Sequence, residues 1–169
     1  VESFIIPFTG HGQLENLIWR HLAIVLSDPA IHKILQNSLY DLFVLKYSYH
    51  ISVRGVVQDT MLKTWELYCE LPKSLGFQCS IYTKEPFYKD DRGHPDKETF
   101  HRYCCRDSAV TYEISNVIEH QLTSPAARAH YNFNVALLEP LLRMQLTGIS
   151  YAKTKAEQKL RETRHQINR

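Results

Sequence analysis

Two aspartates and a tyrosine carry the chemistry in this chain: Asp41, within Asn37-x-x-Tyr40-Asp41, and Asp107, within Tyr103-x-x-x-Asp107. Carboxylates offer the hard oxygen donors that divalent cations take. A tyrosine hydroxyl four residues before an aspartate lies about one helical turn away, on the same face. A carboxylate in such a place must be paired, protonated or bound to a cation. Each residue also has a plain structural reading. Asp107 would be a core aspartate capped by a donor, since an unpaired charge is costly to bury. Asp41 would be an acidic residue favoured by the macrodipole at a helix start.

Periodicity sets these residues on elements. In the stretch 96–122, Phe100, Tyr103, Cys104, Val110, Ile114, Val117 and Ile118 recur at helical spacing, with Asp107 on their stripe. Asp96 is the expected N-cap, and Asp96-Lys97-Glu98 reads as capping. Ile31 to Leu35 reads as a strand leading through Gln36-Asn37-Ser38 into a helix that reaches about His50, which places Asp41 just beyond a strand end. Ligands gather at such ends in open α/β sheets.

The remaining expectations follow the chain. Ser3 to Phe8 reads as a strand closed by Thr9-Gly10. Gly12 to Ser27 reads as a helix with Leu14, Leu17, Ile18, His21, Leu22 and Val25 as its inner face. Val53 to Val57 is a short strand, Asp59-Thr60 starts a helix, and Lys73 to Ile81 forms another. Lys84 to Pro95 reads as a surface loop. Its Lys84, Lys89 and Arg92 beside Phe87 and Tyr88 have the basic and aromatic mix of a single-strand groove, or of an ordinary solvated loop. One long helix is expected from Ser124-Pro125 to about Leu146. A basic helix follows over residues 151–169, with Lys153, Lys155, Lys159, Arg161, Arg164 and Arg169 facing duplex phosphates or solvent. Trp19 and Trp65 are expected to pack. Early alternation of strands and helices, then helices alone, predicts an α/β layer running into a helical segment. The boundary falls near Thr123-Ser124-Pro125, giving units 1–123 and 124–169.

Composition excludes several classes. The 169 residues are 44% hydrophobic and 22% charged with a net charge of +2, values of an ordinary globular chain. Four cysteines without a C-x-x-C pair argue against both a disulfide framework and a zinc site, despite nine histidines. No apolar run spans a bilayer, so no membrane partner is expected and a cytoplasmic location is.

The motifs at Asn37 to Asp41 and Tyr103 to Asp107 resemble the second and third motifs of the DEDDy proofreading 3′→5′ exonucleases, in the phage-type branch of family A DNA polymerases. Asp59-Thr60-Met61-Leu62 and Leu75-Gly76-Phe77 through Lys89 resemble the stretches between and after them. Residues from Asn134 onward are similar to the start of a polymerase thumb. The resemblance implies a ribonuclease H-like fold and removal of mispaired 3′-terminal nucleotides by two-metal hydrolysis with Mg2+ or Mn2+. It makes Asp41 and Asp107 metal ligands and Tyr103 the holder of the attacking water. Asn37, Tyr40 and Lys89 become substrate contacts. The implied partners are a single-stranded DNA 3′ end, primer-template DNA and a polymerase domain in the same parent chain.

One departure stands out. The family's first motif, aspartate-x-glutamate on the first strand, has no counterpart upstream of Asp41, and Ser3 to Phe8 looks like the family's third strand. The expectation is therefore a domain cut at both ends, its first strands absent, and poorly stable and inactive alone. The alternatives are a non-catalytic DNA-binding module with a decayed site, and a ribonuclease D-like exonuclease.

Overall fold

The computed structural model describes residues 2–8, 10, 12–55 and 57–167. In chain order the elements are α1 (Gly12–Ser27), β1 (Lys33–Leu35), α2 (Ser38–Tyr49), β2 (Val57–Asp59), α3 (Thr60–Leu67) and α4 (Leu75–Tyr82). A 3-10 turn (Lys89–Asp91), α5 (Lys97–Gln121), α6 (Pro125–Ala136), α7 (Leu138–Thr147) and α8 (Lys153–Ile167) complete them. The architecture is mixed α/β and rich in helix, with a small sheet. β1 and β2 pair in parallel, Lys33 opposite Val57 and Leu35 opposite Asp59, and α2 makes the crossover that a parallel pair requires.

α5 is the spine. It starts where Asp96 accepts the Thr99 backbone N–H at 2.8 Å, and it packs along α3 and α4. Its stripe enters the core as expected: Tyr103, Val110, Ile114 and Ile118 are buried together with Cys79, Tyr82 and Tyr88. Phe100, at the start of the stripe, stays exposed.

The helices after Ser124 lie on this unit. α6 packs on α3 and α7 on α2. The Tyr131 hydroxyl accepts the Asp59 backbone N–H at 3.1 Å. His130 Nδ1 and Asn134 Nδ2 each meet Glu66 at 2.8 Å. Arg128 pairs with Glu119 at 2.8 Å, and Glu119 pairs with the buried Lys63 at 2.8 Å. α8 is exposed along its length, and Arg169 lies outside the described residues.

Five expectations need correction. Residues 3–8 form no strand, having no ladder partner among the described residues; Thr9, the expected closing residue, lies outside them. The inner face assigned to α1 is not buried: Leu14, Leu17 and Val25 remain exposed, because a sheet of two short strands cannot cover a sixteen-residue helix. The strand expected over 53–57 begins only at Val57 and runs to Asp59, and Val56 lies outside the described residues. The single helix expected from Ser124 to Leu146 is two, parting at Leu137. Pro140 explains the break, since its ring has no N–H to give the Ala136 carbonyl and collides with that carbonyl in a continuous helix. Trp19 packs, stacked between Phe8 and Tyr49 at 5.0 and 3.8 Å, whereas Trp65 is half exposed with Lys73 over its ring.

Candidate active site

A buried carboxylate sets the geometry from below. Asp59, 1% exposed, ends β2 and caps α3 by accepting the Met61 and Leu62 N–H groups at 2.8 and 3.2 Å. The same side chain accepts the Asn37 N–H at 3.2 Å and both the N–H and the hydroxyl of Ser38 at 2.7 Å. Asn37 takes a left-handed conformation, φ 59°, which asparagine tolerates better than most residues. This turn starts α2 and puts Asp41 in its first turn. Burial raises the Asp41 pKa above the ordinary carboxylate value, and the negative charge of Asp59 raises it further. Among the described residues no cation pairs with Asp41.

The opposite wall comes from α5 and the loop before it. The Tyr88 hydroxyl donates to Asp107 Oδ1 at 2.6 Å, and Lys89 Nζ forms an ion pair with the same oxygen. Lys89 Nζ also lies over the rings of Tyr88 and Tyr103, 4.8 and 5.2 Å from their centroids. Those rings tilt against each other at 5.7 Å. Burial pushes the Tyr103 phenol up to about 12, helped by its hydrogen bond to Asp107 and by that residue's charge. The Tyr88 phenol is pushed up as well, again by burial first and then by Asp107. Residues 84–95 are thus more than a surface loop. Tyr88 is 3% exposed, in the core, and Arg106 of α5 ties the segment down through Glu85 at 3.2 Å and Asp91 at 3.5 Å.

Asn37, Tyr40, Asp41, Lys89, Tyr103 and Asp107 all line one open cleft of about 1270 Å³, together with Lys73, Phe77, Phe87, Arg92 and Phe100. The wall combines two carboxylates, three cations and several aromatic faces. That mixture suits a nucleic-acid strand, whose phosphates need positive charge and whose bases stack on rings.

The donor set fits a divalent cation, in an open form. Among the described residues no three of His, Cys, Asp and Glu come together to enclose an ion. Two carboxylates on one cleft are nevertheless what a magnesium-like ion takes when water and substrate phosphate complete its shell. Asp41 is a half-buried acid lacking a cation, and a bound cation would supply the missing compensation.

The sequence model of the 3′-5′ exonuclease domain of the DNA polymerase A group matches residues 3–123. The chain belongs to this 3′-5′ exonuclease family. Exonuclease domains of the family generally use divalent metal ions. The matched segment contains every residue of the cleft wall named above, from Asn37 to Asp107. No curated protein matches the chain. Among the described residues, no helix is long and apolar enough to cross a membrane.

Sequence reasoning missed two parts of the cleft. The reach of Asp59 back to Ser38 was hidden because an Asp-Thr pair reads as a simple helix start. The lock on Asp107 by Tyr88 and Lys89 was hidden because both lie in a stretch of loop composition. Its one visible signal is Phe87-Tyr88, an apolar pair inside a charged segment.

Proposed function

We propose that the cleft removes nucleotides from the 3′ end of single-stranded DNA by metal-assisted phosphodiester hydrolysis, as the proofreading part of a DNA polymerase. The observation that carries this reading is the opening of Asp41, Tyr103 and Asp107 into one basic and aromatic cleft within an exonuclease domain. On the same reading the fold is a ribonuclease H-like layer of the DEDDy group, and residues 124–169 belong to the polymerase portion.

Bound divalent ions supply Lewis acidity and an activated water. Asp41 and Asp107 are the groups that would hold them. Burial and the neighbouring Asp107 push the Tyr103 phenol up to about 12, which favours its protonated form. It therefore acts as a hydrogen-bond donor that orients the attacking water and does not serve as a base. Lys89 and Arg92 balance phosphate charge, while Tyr40 and Phe87, 66% and 74% exposed, offer ring faces to terminal bases.

The test uses the protein encoded by the complete reading frame, with 5′-labelled oligonucleotides and Mg2+. A free 3′ end should be shortened one nucleotide at a time, and a 3′-terminal phosphorothioate should block it. Preference for an RNA strand would favour the ribonuclease D-like alternative. Binding without degradation would favour a non-catalytic module.

A further inference from the structure

The Lys89 ammonium pairs with Oδ1 of Asp107, the carboxylate read above as a metal ligand. We propose that Lys89 is a built-in counter-ion for Asp107, holding the carboxylate in place while no divalent ion is bound and yielding it when one arrives. The inference rests on the reading of Asp107 as a metal ligand.

Three features separate this contact from an incidental surface ion pair. The side chains are only 22% and 29% exposed, so the carboxylate is partly dry and an uncompensated charge there is costly. The stem of Lys89 crosses the start of α4 at Gly76, where an added Cβ would stand 3.3 Å from Lys89 Cγ, so the helix leaves a groove for it. The backbone beside Lys89 is fixed independently, by buried Tyr88 and by the Arg106 ion pairs to Glu85 and Asp91.

A lysine suits an exchange of this kind. Its charge is compact and sits on a flexible four-carbon stem, so the ammonium can leave while the loop stays. Tyr88 and Tyr103 then still donate to or flank Asp107 and keep its rotamer. The displaced ammonium has the same two rings to rest on. A cation held by Asp107 would share one carboxylate with the Lys89 ammonium, and repulsion between the two positive charges makes each lower the other's occupancy. Apparent metal affinity then falls in proportion to the fraction of Asp107 that is free.

Mn2+ titration of the protein encoded by the complete reading frame, followed by the paramagnetic resonance signal of the free ion, tests the exchange in wild type, Lys89→Met, Lys89→Arg and Asp107→Asn. Lys89→Met should bind Mn2+ about fivefold tighter or better, Lys89→Arg should stay within about twofold of wild type, and Asp107→Asn should lose the site. In parallel, reductive methylation of Lys89, read by mass spectrometry, should speed up with Mn2+ in wild type and not in Asp107→Asn. Unchanged or weaker binding in Lys89→Met, with binding still lost in Asp107→Asn, would overturn the counter-ion role and leave the metal reading standing. Mn2+ binding indifferent to Asp107→Asn would overturn the metal reading and the counter-ion with it. Should Lys89→Met not fold, the labelling of wild type decides: Mn2+-independent reactivity contradicts the exchange.

Discussion

Ser38 gives both its backbone N–H and its hydroxyl to one oxygen of Asp59, each at 2.7 Å, across the end of the sheet. Two crossing points of the fold, the start of α2 and the start of α3, are thereby fastened to one buried carboxylate. Asp59→Asn puts an amide N–H against donors and should cost about 2–4 kcal/mol. Urea denaturation measures the loss, and amide exchange at Ser38 and Asn37 should accelerate more than the core does. Unaltered exchange there would mean that Asp59 does not hold the turn bearing Asp41.

The Tyr131 hydroxyl is the acceptor for the Asp59 N–H, linking α6 to the same point. Tyr131→Phe keeps the ring and strands a buried donor, for an expected cost of about 1–3 kcal/mol. A urea midpoint equal to wild type would show that α6 does not pack there in solution.

Asp41 should oppose stability at neutral pH. Its folded pKa lies above the unfolded value near 3.8, through burial and the charge of Asp59. Between those two values the folded chain binds more protons than the unfolded chain, so stability falls as pH rises through the window. Asp41→Asn should therefore melt higher than wild type at pH 7 and lose less stability on going from about pH 4 to 7. Thermal melts across that range give both results; a variant less stable at pH 7 would contradict the sign.

Gly55 stands at φ +86°, and a Cβ there would meet the Pro29 carbonyl oxygen at 2.6 Å. The loops at the base of the sheet close through this contact, beside the Lys33 ammonium, which donates to the Arg54 carbonyl at 2.8 Å. Gly55→Ala should cost roughly 2 kcal/mol or more. A melting temperature within about a degree of wild type would show that the backbone there relaxes freely.

Local signals made part of this molecule legible from its sequence. The Asp96 cap, the α5 stripe and the one-turn spacing of Tyr103 and Asp107 are properties of a single helix, as is the position of Asp41 just past β1. Relationships between distant segments were not legible. Asp59 to Ser38, Tyr131 to Asp59 and Lys89 to Asp107 each depend on how elements pack. The break at Leu137 was available in Pro140, but the apolar spacing runs through the proline and masks it. The strand expected over residues 3–8 fails for another reason, since a strand is defined by its partner and an apolar run alone supplies none.

The central claim is that Asp107 serves hydrolysis at a DNA 3′ end. The most direct test compares Mg2+-dependent shortening of a 5′-labelled single strand by wild type and Asp107→Ala, both expressed from the complete reading frame. The account predicts a one-nucleotide ladder in wild type, reduced by roughly a hundredfold or more in Asp107→Ala, with DNA binding retained. An undiminished ladder in Asp107→Ala would contradict it.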